Sequence, residues 1–339
     1  MNLFRLYKGY SVRLRSGYVK LLRALGVQSR AVVLPYDNTN PVIYVKDDPI
    51  NCYTDDYVMA LASAGDIRLV GMVTSSSVAP FNNLVTPEDY ERFVVQRVEG
   101  IMHAKNSGFR NIPDPVRGPK GHLEKPASGK IEDTQPLGSE GSRLVVNEAK
   151  KATSDKPLLL IVCTGLTVAA DAYLLEPSIA DKVVVAWLGG RASSMADYDG
   201  WSDPWAASVV LQKLSLVQFP PWEADPHVPK SKLIELPDTP FRRWMINKQH
   251  SYWKTPTGQL QPGSSDGDAP PVISAMRKDY VMQAKRVSFR RWTTKHGHQL
   301  PVFKKDPNGK ALVVTCADRR VATEEWWRAL KNPAAYKAL

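Results

Sequence analysis

Short apolar runs alternate with amphipathic stretches through most of the chain. Runs that predict strands lie at 41–45, 67–76, 157–165, 182–190 and 216–221. Because these runs show little alternation of period two, they are typical of parallel strands that are buried on both faces. The stretches at 55–65, 87–108, 139–154, 166–177 and 203–214 predict the helices that connect such strands. The pattern therefore predicts an α/β fold with a mainly parallel central sheet flanked by helices.

Two segments interrupt this alternation. Residues 109–136 and 222–267 are irregular and rich in proline and glycine, and long connections of this kind often shape binding sites. A short helix is predicted in "RRWMINKQHSYWK" within the second segment. A hairpin is predicted at 301–318, followed by a last helix at 323–331. With no internal repeat and no clear linker, residues 37–339 are predicted to form a single domain.

The chain of 339 residues has a formal net charge of +11, and its positive charge is concentrated at the start. Residues 1–36 contain seven lysines and arginines but no acidic residue. This basic N-terminal extension is interpreted as a solvated arm, with an organelle-targeting leader or contact with nucleic acid or an anionic membrane as alternatives. Three widely spaced cysteines and the lack of a membrane-spanning apolar run favour a cytoplasmic protein over a secreted or membrane protein.

Carboxylates recur at the points where predicted strands end. Asp48, Asp55 and Asp56 follow the first strand, and Asp197 and Asp199 follow the run at 182–190. In a parallel α/β sheet these positions meet at one edge, where ligands bind. Carboxylates brought close together need protons or a cation, and a hard divalent ion with oxygen ligands would satisfy them. Helix capping is the simpler alternative, but it explains only one or two of these residues.

The same segments resemble the calcium-dependent nucleoside hydrolases. "IYVKDDPINCYTDDYVMALASAG" is similar to that family's aspartate-rich loop, which ends in two adjacent aspartates at the start of a helix. "TGLTVAADAYLLEP", "MADYDGWSDPWAASVVLQ" and "DGDAPPVISAM" are similar to three later family segments in the same order. The resemblance covers residues 41–285 and implies a Rossmann-like nucleoside hydrolase fold. The loop between Asp48 and Asp55 is longer than in common members, and no His precedes Asp268.

The resemblance also implies a role for individual residues. Asp55 would be the general base, and the calcium (Ca2+) ligands would be Asp48, Asp56, the main-chain carbonyl of Thr164, and Asp268. Asp197, Tyr198 and Asp199 would contact the sugar, and His250 or Tyr252 would assist the leaving base. Asp47 is expected to point away from the site because it is adjacent to Asp48.

These observations predict an enzyme that hydrolyses the N-glycosidic bond of a ribonucleoside or related N-riboside, using calcium-bound water. Its partner would be a small nucleoside-like molecule, and the oligomeric state stays open. One alternative is a non-catalytic relative that keeps the metal site and binds a ligand. Another is a basic protein that binds nucleic acid or a membrane surface through residues 1–36.

Overall fold

The structure is a computed structural model, and it describes residues 32–75, 85–221, 224–248, 265–295 and 297–336. Within these ranges nine strands form one sheet in the order β3-β2-β1-β4-β5-β6-β9-β7-β8. The strands are β1 Pro41–Lys46, β2 Arg68–Thr74, β3 Pro115–Arg117, β4 Leu158–Cys163, β5 Val183–Leu188, β6 Ser215–Phe219, β7 Val281–Lys295, β8 His298–Lys305 and β9 Ala311–Ala317. Strand β7 runs antiparallel to its neighbours β8 and β9, and all other pairs are parallel. The predicted mainly parallel α/β sheet is confirmed.

Helices cover both faces of this sheet. They are α1 Thr54–Ala64, α2 Pro87–Lys105, α3 Glu140–Lys151, α4 Thr167–Leu175, α5 Tyr198–Ser202, α6 Pro204–Lys213, α7 Pro240–Asn247, α8 Pro270–Met276 and α9 Arg319–Lys331. Helix α2 begins with a capping box, in which Thr86 accepts a hydrogen bond from the Asp89 amide and the Asp89 carboxylate accepts one from the Thr86 amide. The five helices predicted between 41–45 and 216–221 are all present, with ends within three residues of the predicted ones.

Successive side chains of the central strands enter two separate hydrophobic cores. In β1, Val42 and Tyr44 belong to one core, while Ile43 and Val45 belong to the other. Helices α1, α2, α8 and α9 contribute to the first core, and α3, α4 and α6 to the second. Burial on both faces explains why these strands read as continuous apolar runs rather than as alternating patterns.

The predicted C-terminal hairpin at 301–318 is wrong in its pairing. Strands β8 and β9 both form, but β7 lies between them and pairs with each. The sequence pattern did not indicate β7 because its second half is largely exposed and rich in cations. Phe289 and Trp292, for example, are more than one third exposed. A strand without a buried face has no apolar run that a hydrophobic pattern can detect.

The order of the strands reverses between β1 and β4. The chain runs outward from β1 through β2 to β3, then returns to β4 on the other side and continues to β5 and β6. Such a reversal opens a crevice beyond the carboxyl ends of the two central strands. Lys46 ends β1 and is in register with Cys163 of β4 and Thr74 of β2. The loops that follow these residues therefore line the crevice.

The two irregular segments contain little regular structure. Residues 109–136 hold β3 and a short 3-10 helix, Ile131–Asp133, and 222–267 hold the 3-10 helix Lys230–Glu235 and α7 where described. Residues 1–31 of the basic extension lie outside the described residues. Among the helices of the described ranges, none is long and apolar enough to cross a membrane.

Candidate functional site

Helix α1 begins with two buried aspartates that do not cap it. Tyr53 is the N-cap residue, and no side chain forms a capping hydrogen bond. Asp55 and Asp56, in the first turn, are 3% and 0% exposed. Each carboxylate instead pairs with a different buried cation. The capping interpretation therefore does not account for this pair.

Arg97 of helix α2 is the cation beside Asp55. Its Nε donates to Asp55 Oδ2 at 2.9 Å. Its Nη1 donates to the Lys46 carbonyl at 3.0 Å, the Val73 carbonyl at 3.1 Å and Thr74 Oγ1 at 2.9 Å. Burial raises the pKa of Asp55, but the charges of Arg97, Lys248 and Lys46 together with the Arg97 hydrogen bond outweigh it, so this pKa lies below its usual range. Arg97 thus joins the carboxyl ends of β1 and β2 to the start of α1.

Lys248, directly after α7, is the cation beside Asp56. Its ammonium forms an ion pair with Asp56 Oδ2 and donates to the Pro49 carbonyl at 2.9 Å and the Cys52 carbonyl at 3.3 Å. Burial raises the pKa of Asp56 to about 7, against the opposing effect of Lys248. The second oxygen, Asp56 Oδ1, is buried and has no hydrogen-bond partner among the described residues.

Lys46, the last residue of β1, lies between two carboxylates of the crevice. Its ammonium forms an ion pair with Asp268 Oδ2 and lies 3.9 Å from Asp47 Oδ1. Two cysteines contact Asp268 as well. The Cys52 thiol donates to Asp268 Oδ2 at 3.3 Å, and the Cys163 thiol donates to the Asp268 carbonyl at 3.4 Å. Burial lowers the pKa of Lys46, but Asp268 and the other acidic groups around the ammonium together outweigh it, and the net pKa is well above the usual value.

Asp47 belongs to this group, contrary to the expectation that it points away. Burial raises the pKa of Asp47 to about 6, and the Asp268 and Asp48 carboxylates raise it further against Lys46. Asp48 turns differently, since its Oδ1 accepts from the Ile50 amide at 2.9 Å and its Oδ2 is buried without a hydrogen-bond partner among the described residues. Burial raises the pKa of Asp48 too. The direction of Asp47 does not follow the alternation of a strand, because β1 has already ended at Lys46.

The segment that starts α5 brings two more carboxylates to the same place. Asp197 Oδ1 accepts from the Gly200 amide at 2.9 Å and so caps α5. Burial raises the pKa of Asp197 to about 6. Burial, followed by the charges of Asp197, Asp47 and Asp268, raises the pKa of Asp199 well above its usual value. We refer to Asp47, Asp197, Asp199 and Asp268 as the edge carboxylates. Tyr198, between two of them, is 44% exposed.

The remaining predicted residues have different outcomes. Thr164 is buried directly after β4, and its carbonyl accepts a hydrogen bond from Trp187 Nε1 at 2.9 Å. Asp266, which was not predicted as a site residue, is buried and accepts from Thr54 Oγ1 and Trp326 Nε1, so it connects α1 and α9. His250 and Tyr252, predicted to assist the leaving group, lie outside the described residues.

Comparison with known proteins gives matches in structure but not in sequence. No family model and no curated protein matches the chain. A plant nucleoside hydrolase superposes with a TM-score of 0.60 at 15% identity, over 87% of this chain and 99% of the other. A purine-preferring ribonucleoside hydrolase from Gardnerella vaginalis gives 0.60 at 14% identity, over 88% and 100%. An inosine-uridine preferring nucleoside hydrolase from Bacillus anthracis gives 0.57 at 13% identity, over 86% and 99%. The chain has the nucleoside hydrolase fold.

The nucleoside hydrolase fold confirms the resemblance that the sequence segments indicated. These matches span nearly the full length of the solved proteins, so the chain carries the whole fold rather than one half of it. At identities of 15% or less the likeness concerns the fold alone. The chemistry of the site depends on the residues of this chain rather than on the fold.

The donor set predicted for calcium does not fit a calcium ion in this arrangement. Calcium takes six to eight oxygen ligands. Two of the predicted ligands, Asp56 and Asp268, hold a lysine ammonium instead. In the described part of the chain, no group of three or more His, Cys, Asp or Glu side chains is placed to hold a metal ion. Calcium binding therefore stays a prediction of the resemblance.

Sequence reasoning missed the three buried cations, although two of them left a signal. The buried face of α2 consists of Tyr90, Phe93, Arg97, Gly100, Ile101 and Ala104. An arginine at the helical spacing of the apolar residues predicts a buried ion pair, because a charge is buried only with a partner. Lys46 follows the apolar run of β1 and could have been noticed as its last residue. Lys248 lies in an irregular segment and carries no comparable signal.

Proposed function

We propose that this protein hydrolyses the N-glycosidic bond of a ribonucleoside or a related N-riboside at the edge carboxylates. One observation carries the proposal: four carboxylates from three separate segments converge beyond β1 and β4, where a sheet of this topology binds its ligands. The superposed structures include a ribonucleoside hydrolase that prefers purines and a nucleoside hydrolase that prefers inosine and uridine. Their substrate class is carried over to this chain as part of the proposal.

The edge carboxylates suit the chemistry of this reaction. As the bond between C1′ and the base nitrogen breaks, positive charge develops on the ribosyl ring, and nearby carboxylates stabilise it. Water then bonds to C1′ and loses one proton to a carboxylate, while the departing base gains a proton. Carboxylate oxygens also accept hydrogen bonds from the sugar hydroxyls. Asp197, Tyr198 and Asp199 are the proposed sugar contacts.

Within this proposal the water proton goes to Asp47. Its side chain is 12% exposed and faces the other edge carboxylates. Asp55, to which the resemblance assigns this task, is 4% exposed at its side chain, and both its oxygens accept hydrogen bonds, from Arg97 and from Tyr44. A general base needs a free oxygen within reach of the water. Asp55 is therefore proposed to position the loop after β1 through Arg97, which contacts both Asp55 and the Lys46 carbonyl. A role of Asp55 as the general base is kept as the alternative.

A second candidate function is ligand binding without turnover. The lysine ion pairs at Asp56 and Asp268 favour it, because they occupy carboxylates that the resemblance assigns to the catalytic metal. The calcium-dependent version of the reaction stays a third candidate, and it requires both lysines to leave their partners. Binding of a nucleoside is common to all three.

Turnover and binding are measured separately to test this. The purified protein is incubated with a panel of purine and pyrimidine ribonucleosides, with added calcium or with a chelator, and ribose and free base are quantified. Asp47→Asn is expected to lower the rate by about 100-fold or more, as loss of a general base does. The control is Asp114→Asn, which removes a carboxylate that is 90% exposed at the surface.

Four outcomes are informative. Ribose release that Asp47→Asn abolishes and Asp114→Asn leaves unchanged supports the proposal. Saturable nucleoside binding in a calorimeter without any ribose release contradicts hydrolysis and establishes the ligand-binding function. If the protein neither binds nor cleaves any nucleoside of the panel, both the hydrolysis and the ligand-binding function are overturned. The base is Asp55 if Asp47→Asn retains the full rate and Asp55→Asn loses it. Circular dichroism checks that Asp55→Asn is folded.

A further inference from the structure

Two lysine ammonium groups lie where the resemblance places calcium ligands. Lys46 pairs with Asp268 and Lys248 pairs with Asp56, and the two lysine side chains are 0% and 1% exposed. Burying an ammonium group is costly unless acceptors surround it, so such lysines are rare in protein interiors. We propose that Lys46 and Lys248 act as built-in cations that replace a divalent metal at this edge of the sheet.

Lys248 is held in the manner of a bound ion. An ammonium group has three N–H donors, and here the three acceptors are the Asp56 carboxylate and the carbonyls of Pro49 and Cys52. The two carbonyls belong to the loop between Asp48 and Asp55, which is longer than the corresponding loop of the family it resembles. This loop therefore wraps around the ammonium group, so its extra length has a structural reason in this chain.

Lys46 supplies the second charge from the sheet itself. Lys46 stands at the end of β1, in register with Cys163 of β4, and so lies at the carboxyl ends of the two central strands. There it contacts Asp268 and lies within 3.9 Å of Asp47. The Cys52 and Cys163 thiols donate to Asp268 as well. Oδ2 and the main-chain carbonyl of Asp268 are thus engaged by groups of this chain.

A lysine ammonium and a divalent ion on the same carboxylate repel each other and compete for its oxygens. A calcium ion bonds oxygens at about 2.3 to 2.6 Å, which is close to the separation of an ammonium nitrogen from its carboxylate partner. Calcium would therefore have to expel the ammonium groups and leave them buried without partners. The resident lysines already neutralise Asp56 and Asp268. The site is expected to keep its loop geometry and to bind its ligand without a divalent metal.

Calcium binding by the unmodified protein decides the matter, and it does not depend on turnover. Calcium is titrated into protein freed of metals with a chelator, with heat of binding as one readout and melting temperature as the other. We expect no saturable binding and the same melting temperature with chelator and with calcium. A one-to-one isotherm with a Kd below about 1 mM, which covers the weak protein calcium sites, overturns the proposal. A melting temperature that rises by several degrees with calcium overturns it too.

Variants test whether the lysines are the cause. Lys46→Met and Lys248→Met keep most of the side-chain volume but remove the charge. Each is expected to melt at a lower temperature with chelator and to regain part of the loss when calcium is added. Lys105→Met is the matched control, since Lys105 pairs with Asp114 at the surface and its loss should change neither readout. Lysine variants that are fully stable and insensitive to calcium would refute the assigned role. If a variant does not fold, the titration of the unmodified protein still decides.

Discussion

Replacement of Arg97 by methionine should destabilise the protein strongly. The substitution keeps an unbranched side chain on the buried face of α2 but removes the charge beside Asp55. The Asp55 carboxylate then stays buried without its cation, and the carbonyls of Lys46 and Val73 each lose one hydrogen bond. Removing one partner of a buried ion pair costs about 3–5 kcal/mol. That is a large share of the roughly 5–15 kcal/mol by which proteins are stable.

Urea-induced unfolding followed by tryptophan fluorescence measures this loss. With an m-value of about 3 kcal/mol per molar urea, a loss of 3–5 kcal/mol lowers the midpoint by about 1 to 1.7 M. Arg92→Met is the matched control on the same helix, because Arg92 is 49% exposed at its side chain and its ion pair with Asp89 lies at the surface. The control should shift the midpoint by only a small fraction of that amount.

The double variant with Asp55→Leu separates the ion pair from the remaining contacts of Arg97. If the unpaired carboxylate is the main cost, the two substitutions together destabilise less than the sum of the single ones. An Arg97→Met midpoint within about 0.3 M of the unmodified protein, a loss of about 1 kcal/mol, would refute the reasoning. It would mean that Asp55 is solvated or protonated without harm, and its role as a general base would regain support.

Three further predictions concern other groups. Thr86→Ala removes one half of the capping box of α2 and should cost about 1 kcal/mol, measured as a shift of the urea midpoint. Asp268→Asn leaves the ammonium of Lys46 without its nearest charge partner and should lower the melting temperature, whereas an unchanged value would contradict the ion pair. Burial raises the pKa of Asp203 to about 6, so ionisation of this carboxyl favours the unfolded chain. The protonated Asp203 carboxyl therefore contributes stability below about pH 4, and this contribution is lost as the pH rises through about 6. Asp203→Asn, which cannot ionise, should therefore show a smaller decrease in urea midpoint between pH 4 and pH 6.5 than the unmodified protein does.

Much of the fold could be predicted because its signals are local. A strand such as β4, buried on both faces, needs an apolar residue at each position, so the run of letters alone marks it. The start of a helix such as α2 is indicated by Thr86, Pro87 and Asp89, which lie within four consecutive positions of the chain. Strand β7 escaped detection for the opposite reason, since an exposed cationic strand forms through pairing with β8 and β9 rather than through its own pattern.

The alternation of strands and helices also determined where the acidic residues meet. Parallel strands place their carboxyl ends at one edge, so Asp47, Asp48, Asp197, Asp199 and Asp268 were brought to the same end of the sheet by their order in the sequence. What the order could not reveal was the direction in which each side chain turns. Asp47, for example, was expected to point away from the site but lies among the edge carboxylates.

Only the tertiary structure decided which charges pair. Arg97 lies 42 residues from Asp55, Lys248 lies 192 residues from Asp56, and Lys46 lies 222 residues from Asp268. No local pattern records a contact over such distances, because a buried charge is stabilised by whichever partner the packing of the whole chain brings within a few ångströms. The sequence by itself determined an α/β sheet with carboxylates along one edge. Packing of α2 and of the segment after α7 against that edge supplied Arg97 and Lys248, so that with Lys46 of β1 the counter-charges come from the chain itself.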